Sequence, residues 1–297
     1  MEKSQHIPVL LNEVIEGLNL SVNDTVIDAT IGCGGHAKAI LDKIGPKGIL
    51  LGIDWDKDAI ERARVYLKEH EDQVILKQGN YIDIKKIAYE SRISKINAIL
   101  LDLGLSRDQL KDFSRGFSFQ AEGPLDMRFS DQGLTKASDI VNTWPENDLV
   151  QIFEEYGEER HAARAAQNII AARKLAPIET AKDLADVVMR GVGKHGRIHP
   201  ATRIFQALRI ATNKELDNVS QALPEMIDLL AIHGRLAVIS FHSLEDRILK
   251  QYFRSMSRAE DPKITLINKK VIKPAREEIL ENSASRSAKL RIIEKIR

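Results

Sequence analysis

The chain has 297 residues, of which 43% are hydrophobic and 29% charged, so it is long enough to form about two packed domains. Its 44 lysines and arginines nearly balance 43 aspartates and glutamates, for a formal net charge of +1. This total lacks the excess of positive charge that is typical of nucleic-acid-binding proteins. The single cysteine, Cys33, excludes an intramolecular disulfide and a zinc site built from several thiolates.

The apolar stretches of the chain are all short. None approaches the roughly 18 residues of a membrane helix. The first of them, residues 7–11, is followed by Asn12 and Glu13 and is shorter than the apolar region of a signal peptide. We therefore expect a cytoplasmic protein without a membrane segment.

Four apolar runs in the first third of the chain predict strands at residues 26–27, 49–53, 74–76 and 96–101. Stretches with helical character lie between them, at residues 36–44, 58–67 and 82–89. Strands that alternate with helices predict an α/β fold with a doubly wound, mostly parallel sheet. Runs that are apolar on both faces are what such strands require, because helices cover both sides of the sheet.

Three of the predicted strands end in a carboxylate: Asp28, Asp54 and Asp102. Ligands of open α/β sheets bind at the carboxyl ends of the strands. Any one of these aspartates is open to a simpler interpretation as a helix cap or turn residue. Three of them at equivalent positions favour a ligand site.

The middle of the chain changes character. Residues 112–130 have no clear period, and helical spacing then recurs at 148–156, 160–174, 180–190 and 200–213. The α/β pattern resumes with a helix at 216–230, a strand at 236–241 and a helix at 244–253, and short pieces at 264–267 and 290–293 predict edge strands. We predict a discontinuous α/β domain, residues 1–112 and 215–297, and an inserted helical domain at 113–214.

A glycine-rich loop at residues 28–36 follows the first strand and opens a helix, a setting in which backbone amides approach a ligand closely. Gly32, Gly34 and Ala37 match the letters of a dinucleotide-binding fingerprint, which alone is a weak signal. Charge separates the candidate cofactors. Asp28 and Asp102 would repel a pyrophosphate but attract the ammonium and sulfonium groups of S-adenosylmethionine.

Two more residues follow the second and third strands. Asp54 occupies the position from which a carboxylate binds the hydroxyls of an adenosine ribose, in either cofactor class. Tyr81 would lie beside the adenine, where its ring can stack, and a half-buried core position is an equally good interpretation.

The segment 240–246 contains serine, histidine and acidic residues but no nucleophile elbow, so we do not assign it to a hydrolase. Ser243 and Asp246 instead predict a capping box at the start of the next helix. The histidines lack a metal-binding pair backed by a glutamate, so we predict no metal.

Positive charge is concentrated in two segments. Residues 190–214 contain no Asp or Glu, residues 263–297 are also basic, and an acid-rich stretch at 146–159 hides both in the total. Such segments form either a solvated helix face or a surface that contacts phosphates. The candidate RNA-binding residues are Arg197, His199, Arg203 and Arg209.

Over nearly its full length the chain resembles the MraW family of bacterial ribosomal RNA small-subunit methyltransferases. The matching motifs are HIPVLL (6–11), GCGGH (32–36), DLG (102–104) with Ser106 and Gln109, RGFSF (115–119), GPLDMR (123–128), YGEE (156–159), HPATR with FQA (199–207) and VISFHSLEDR (238–247). Ala29, Ala37, Arg107 and residues 282–287 depart from the usual pattern, which bears on affinity more than on the type of reaction.

The resemblance implies an α/β methyltransferase domain with a helical insertion that binds RNA. It implies methylation of N4 of a cytidine in the decoding region of 16S rRNA, within the small ribosomal subunit, by S-adenosylmethionine. The residues that match the family's donor site are Gly34, Gly35, His36, Asp54, Tyr81, Asp102 and Gln109. A homodimer is one expected oligomeric state.

Asp102 is the candidate catalytic residue, because it follows the fourth strand, where many amino-methyltransferases hold the target amine. It either accepts a hydrogen bond from the amine or holds the donor's ammonium group. Phe117, Phe119 or His242 could stack on an unstacked target base, with core packing the alternative for each phenylalanine. The competing functions are an NAD-dependent oxidoreductase, a non-catalytic RNA-binding assembly factor, and a protein or DNA methyltransferase.

Overall fold

The computed structural model describes residues 8–120, 122–131, 135–193 and 199–297. The chain divides into two compact units. The sheet unit comprises Met1–Gly104 and Leu216–Arg297, and the helical unit comprises Leu105–Glu215. The helical unit thus begins at Leu105, earlier than the predicted boundary at residue 113.

The described residues of the sheet unit form one seven-stranded sheet with the order β3-β2-β1-β4-β5-β7-β6. Neighbouring strands from β1 to β5 pair in parallel, and β7 is antiparallel to both β5 and β6. The strands are β1 Thr25–Asp28, β2 Ile49–Asp54, β3 Val74–Gln78, β4 Ile96–Asp102, β5 Leu230–Ser240, β6 Ile264–Leu266 and β7 Lys289–Lys295. The predicted fold class is therefore confirmed.

The described residues also form thirteen α-helices. They are α1 Leu11–Leu18, α2 Gly35–Ile44, α3 Lys57–Tyr66, α4 Ile84–Glu90, α5 Arg107–Lys111, α6 Ala137–Thr143, α7 Glu146–Glu155, α8 Ala162–Arg173, α9 Ala181–Val192, α10 Ala201–Asn213, α11 Glu215–Leu229, α12 Ser243–Ser257 and α13 Arg276–Glu281. No helix among the described residues combines the length and the apolar character that crossing a membrane requires.

The central strands supply two hydrophobic cores, one on each face of the sheet. Val26 and Leu50 belong to one core, while the next residues along the same strands, Ile27 and Leu51, belong to the other. All four are fully buried. Successive side chains of a strand point to opposite faces, so a strand covered on both sides must be apolar at every position, as the sequence is here.

The helical unit has a core of its own, and the fully buried Phe153 of α7 is one of its members. The loop that contains the GPLDMR motif (123–128) precedes α6. It is hydrogen-bonded to the end of α10 through Asn213, whose side chain is completely buried. Its Nδ2 donates to Met127 O at 2.7 Å and its Oδ1 accepts from Phe129 N at 2.8 Å. A loop without a sequence period is thereby fixed by side-chain hydrogen bonds.

Three features differ from the sequence prediction. Strand β7 is not an edge strand, because it lies between β5 and β6. Strand β5 begins at Leu230 rather than at residue 236, with an irregularity in its pairing with β4. The sequence analysis missed α1, α5, α6 and α13, which have 8, 5, 7 and 6 residues. Of these, α1, α6 and α13 have no side-chain cap on the first backbone amides, so they lack the usual start signal.

Candidate active site

The sheet order brings together the carboxylates that end three strands. Strand β1 lies between β2 and β4, so Asp28 is flanked by the strands that end in Asp54 and Asp102. In the register, Asp28 pairs with Gly52 on one side and with Leu100 on the other. Asp28 therefore lies close enough to both other carboxylates to affect the pKa of one and to be affected by the other.

The glycine loop between β1 and α2 has a backbone that other residues cannot easily adopt. Gly32 and Gly34 have φ values of +53° and +87°, in the left-handed region that favours glycine. A Cβ atom on Gly35 would lie 2.6 Å from Pro8 Cγ, which is too close for an ordinary contact. Two backbone amides of the loop form hydrogen bonds within the protein: Gly32 N donates to Asp54 Oδ2 at 2.9 Å and Gly34 N donates to Ile31 O at 2.8 Å.

Asp54 is held by two backbone amides, one to each oxygen. Gly32 N donates to Oδ2, and Asp56 N donates to Oδ1 at 2.9 Å. Burial raises the pKa of Asp54 to about 6, against the lowering effect of these two hydrogen bonds. Each carboxylate oxygen has a second lone pair, so this arrangement fits a pair of vicinal hydroxyl groups.

Asp28 and Asp102 have the most strongly raised carboxyl pKa values of this edge. Burial raises the pKa of Asp28 to about 7, with a smaller contribution from the charge of Asp54. Burial, followed by the charges of Asp28 and Glu245, raises the pKa of Asp102 well above its usual range. Like charges gathered in a buried place are stabilised when a cation binds among them. The cluster therefore fits a positively charged ligand.

Among the residues that the structure describes, one carboxylate oxygen of Asp102 has no hydrogen-bond partner. Its backbone N donates to Thr30 Oγ1 at 2.7 Å, and its Oδ2 lies 3.8 Å from His36 Nδ1. Its Oδ1 is buried and has no hydrogen-bond partner among the described residues. Buried polar atoms are nearly always hydrogen-bonded, so Oδ1 is the atom of this site that most clearly requires a ligand.

His36 connects the glycine loop to the start of the chain. Its Nε2 lies 2.9 Å from Val9 O, and because a carbonyl oxygen only accepts, Nε2 carries the proton and donates. The ring is buried, and its Nδ1 faces Asp102. Next to Val9, Leu10 N donates to Glu278 Oε1 at 2.8 Å, so this segment also contacts α13.

Two predicted donor-site residues have local structural roles. Tyr81 opens a 3₁₀ turn that Asn80 caps, and its partly buried ring packs against one of the sheet-unit cores. Gln109 belongs to the helical unit. There its Oε1 accepts from Ser106 N at 3.0 Å and its own N donates to Ser106 Oγ at 3.1 Å, which forms the capping box of α5. For both residues the donor-binding role stays a prediction.

The predicted capping box at Ser243 and Asp246 is wrong by one residue. His242 is the N-cap of α12, because its Nδ1 accepts from Glu245 N at 3.4 Å. Glu245 completes the box, with Oε2 accepting from Phe241 N at 2.8 Å and His242 N at 3.3 Å. Asp246 instead pairs with Arg291 Nε at 2.8 Å. Histidine is not among the preferred N-cap residues, so the sequence pattern pointed to its neighbour.

Glu245 is the functional-site residue that the sequence analysis missed. It is 1% exposed, and its charge contributes to the raised pKa of Asp102. The only sequence signal was a glutamate three residues after a polar residue at the start of a predicted helix, which is the spacing of a capping box.

The candidate RNA-binding arginines of the helical unit differ in the exposure of their side chains and in the ion pairs that they form. Arg203 is 44% exposed. Its Nη1 donates to Glu158 O at 3.1 Å and lies 3.8 Å from Glu159 Oε2, a longer ion pair than that of Arg209. Arg209 is only 15% exposed and forms two hydrogen bonds of 2.8 and 2.9 Å with the carboxylate of Glu215. Its charge is therefore already compensated. Arg197 lies outside the described residues.

The aromatic residues proposed to stack on a base also divide into two kinds. Phe117 is buried in the helical-unit core, where it stacks on Phe129. Phe119 is partly exposed and stacks on the His199 ring, with centroids 4.5 Å apart and planes 8° from parallel. Core packing thus accounts for Phe117.

Comparison with known proteins decides the family. The model of the MraW methylase family matches residues 3–296. The chain belongs to this family. It is 47% identical to the ribosomal RNA small subunit methyltransferase H of Coprothermobacter proteolyticus, over 98% of this chain and 96% of that one. It is 44% identical to the protein of the same name from Thermomicrobium roseum, over 98% and 94% of the two chains.

A solved structure of a Streptococcus mutans protein, a candidate methyltransferase in complex with SAH, covers 98% of this chain and 99% of its own at 14% identity and a TM-score of 0.45. Membership of the MraW methylase family itself confirms the resemblance found in the sequence and S-adenosylmethionine as the methyl donor.

Proposed function

We propose that this MraW family member transfers a methyl group from S-adenosylmethionine to N4 of a cytidine in the decoding region of 16S rRNA. The relatives at 47% and 44% identity are named as methyltransferases of small-subunit ribosomal RNA, which supports the substrate class. The observation that carries the chemistry is the unpartnered Oδ1 of Asp102 at the end of β4. It supplies a hydrogen-bond acceptor of the kind an exocyclic amine needs.

The donor would be held by the edge of the sheet that contains the three aspartates. Asp54 would accept both ribose hydroxyls, while Asp28 compensates the positive charge of the methionine end. Gly34, Gly35 and His36 at the start of α2, with Tyr81, complete the part of the proposed site that lies within the sheet unit. When bound, the donor supplies an electrophilic methyl group on a sulfonium centre.

Asp102 would act on the target amine. The lone pair of a cytosine amine is delocalised into the ring, so the nitrogen must be aligned and allowed to become pyramidal. Correct positioning can supply roughly 7–11 kcal/mol of the required rate enhancement. By accepting a hydrogen bond from N4–H, Asp102 Oδ1 would orient the amine, and the raised pKa of this carboxyl suits it to take the proton that the methylated amine releases.

The helical unit is the proposed RNA substrate domain. Among its described residues, Arg203 is an exposed cation on α10, and the stacked pair of Phe119 and His199 offers a flat surface. Contacts with phosphates position RNA without reading its sequence, and stacking on aromatic rings is typical of single-stranded RNA recognition. These residues, together with Arg197, are the proposed contacts.

Mass spectrometry of nucleosides from small-subunit RNA tests the proposal directly. Unmodified 16S rRNA and assembled small subunits, both from cells that lack the protein, are incubated with purified enzyme and donor. We expect N4-methylcytidine at one position in at least one of the two substrates, and none when donor or enzyme is left out. Methylation of another base only, or no methylation of either substrate, would contradict the proposed function.

A further inference from the structure

Among the buried polar atoms of the sheet unit that lack a hydrogen-bond partner in the described residues, two belong to adjacent loops. They are Asp102 Oδ1, after β4, and His242 Nε2, after β5. Neither atom has a hydrogen-bond partner anywhere in the described parts of the chain. Nearly all buried polar atoms in folded proteins form hydrogen bonds. Two neighbouring atoms that form none within the protein therefore indicate a ligand that forms a hydrogen bond with each of them.

The two loops are neighbours because their strands pair. Asp102 is the register partner of Ile239, and Leu103 N donates to Ile239 O at 3.0 Å. Beyond the strands, the ring of Phe241 packs against Gly104, with 3.4 Å between its Cδ2 atom and the position of a Cβ on that glycine. His242 follows Phe241 directly. His242 therefore lies beside the carboxyl end of β4.

Glu245 provides a second link between the two groups. Its carboxylate is close enough to Asp102 to raise that carboxyl's pKa. Its Oε1 also lies 3.1 Å from His242 Nε2. The approach of these two atoms does not have the direction of a hydrogen bond, because Nε2 remains without a hydrogen-bond partner among the described residues. Asp102 and His242 therefore flank the same buried glutamate.

The helix cap fixes which nitrogen of His242 carries a proton. Nδ1 accepts the backbone N–H of Glu245, so it must present a lone pair. In a neutral imidazole the other nitrogen is then protonated. Nε2 is consequently a donor, whereas Asp102 Oδ1, as a carboxylate oxygen, is an acceptor. The ring is 11% exposed, so part of it faces solvent.

We propose that His242 is a specificity-determining residue that donates a hydrogen bond from Nε2 to N3 of the target cytosine. This inference rests on the proposed function and adds to it the means of recognising the base. Cytosine presents an amine donor at N4 next to an acceptor at N3, which complements an acceptor at Asp102 and a donor at His242. Uracil presents the reverse pattern, an acceptor at O4 and a donor at N3, and mismatches both groups.

A single-atom change in the substrate tests the contact. In 3-deazacytidine a C–H group replaces N3 while the exocyclic amine is kept. Small-subunit RNA that carries either cytidine or 3-deazacytidine at the target position is prepared by ligation, assembled into subunits and used in single-turnover methylation. The preference for cytidine, taken as the ratio of the two rates, is compared between enzymes, so that the different intrinsic reactivity of the two amines cancels.

Two substitutions separate the cap from the donor. His242→Asn keeps an acceptor near the position of Nδ1, and asparagine is a preferred N-cap, but it removes the group at Nε2. His242→Gln places an amide N–H near Nε2 and weakens the cap. We expect the preference for cytidine to fall roughly tenfold in His242→Asn and to be largely retained in His242→Gln.

The opposite pattern would overturn the inference. If His242 only caps α12, His242→Asn keeps the wild-type preference and His242→Gln slows methylation of both RNAs by the same factor. Failure of the wild-type enzyme to methylate N4 of the cytidine substrate is a separate outcome, which would overturn the proposed function and this inference together.

Discussion

The acidic edge of the sheet unit and the basic residues of the helical unit differ in how their charges are compensated. In the parts of the chain that the structure describes, no lysine or arginine forms an ion pair with Asp28 or Asp102, and only the charge of Arg62 acts weakly on Asp54. Arg209, in contrast, is paired with Glu215 inside its own unit. Charge that a fold leaves uncompensated indicates a ligand of opposite sign, whereas a basic run in the sequence does not by itself indicate a binding surface.

The largest expected effect concerns the uncompensated acid nearest the chemistry. Asp102→Ala removes the acceptor proposed for the amine, so we expect methyl transfer to fall by about 10³-fold or more. Single-turnover transfer of radiolabelled methyl groups to small subunits measures this, with Asp58→Ala as a matched control, because Asp58 is exposed at the start of α3. Wild-type rates in Asp102→Ala would remove Asp102 from the mechanism.

The second effect concerns the donor alone. Asp54→Ala removes the carboxylate proposed to bind the ribose, and each hydrogen bond to a charged group is worth roughly 1.5–3 kcal/mol. We expect the dissociation constant of S-adenosylmethionine to rise by about tenfold to a hundredfold. Isothermal titration calorimetry measures it, with the exposed Asp72→Ala as the control. An unchanged constant would place the ribose elsewhere.

The third effect is a pH dependence of donor affinity. Because the pKa of Asp28 is raised to about 7 in the ligand-free protein, its carboxyl is mostly protonated at pH 6 and ionised at pH 8. A cationic donor binds the ionised form, so affinity rises with pH and binding releases protons below pH 7. We expect about a tenfold gain in affinity between pH 6 and 8, and a flatter profile in Asp28→Asn. Equal slopes in both proteins would assign the titration to another group.

The smallest effect separates the two arginines of α10. Arg203→Ala is expected to reduce the slope of log affinity for RNA against log salt concentration by about 1. Arg209→Ala is expected to leave that slope unchanged and to lower the free energy of unfolding by about 2 kcal/mol or more, because the buried Glu215 then loses its ion pair with Arg209. Filter binding at several salt concentrations and urea unfolding measure the two quantities. Equal changes of slope in both variants would contradict the conclusion that Arg203 contacts RNA whereas Arg209 does not.

The parts of the fold that the sequence predicted are those that depend on local patterns. Apolar runs that end in Asp28, Asp54 and Asp102 indicate strands and their ends, and the parallel sheet then brings these ends to one edge. The place of β7 between two other strands could not be predicted, because periodicity identifies a strand but not its partners.

The residues of the candidate site, too, could be predicted only where they depend on local sequence patterns. The aspartates were found because each follows an apolar run. Glu245 and the capping role of His242 were missed because both depend on how the chain leaves β5, and the helix cap lies one residue earlier than the preferred cap residue, Ser243, suggested. The pairing of Arg209 with Glu215 was also hidden, since six positions along the chain is not a spacing at which residues of one helix face each other.

The sheet unit is built from two segments that are far apart along the chain. This arrangement affects how the protein folds during synthesis. The chain completes β1 to β4 early, then makes the contiguous helical unit, and only afterwards supplies β5. Until then β4 is an exposed edge strand, a template for unwanted pairing with other chains. The helical unit, made of one continuous segment, is able to fold before β5 is made, whereas β4 gains its second neighbouring strand only when the last quarter of the polypeptide has emerged from the ribosome.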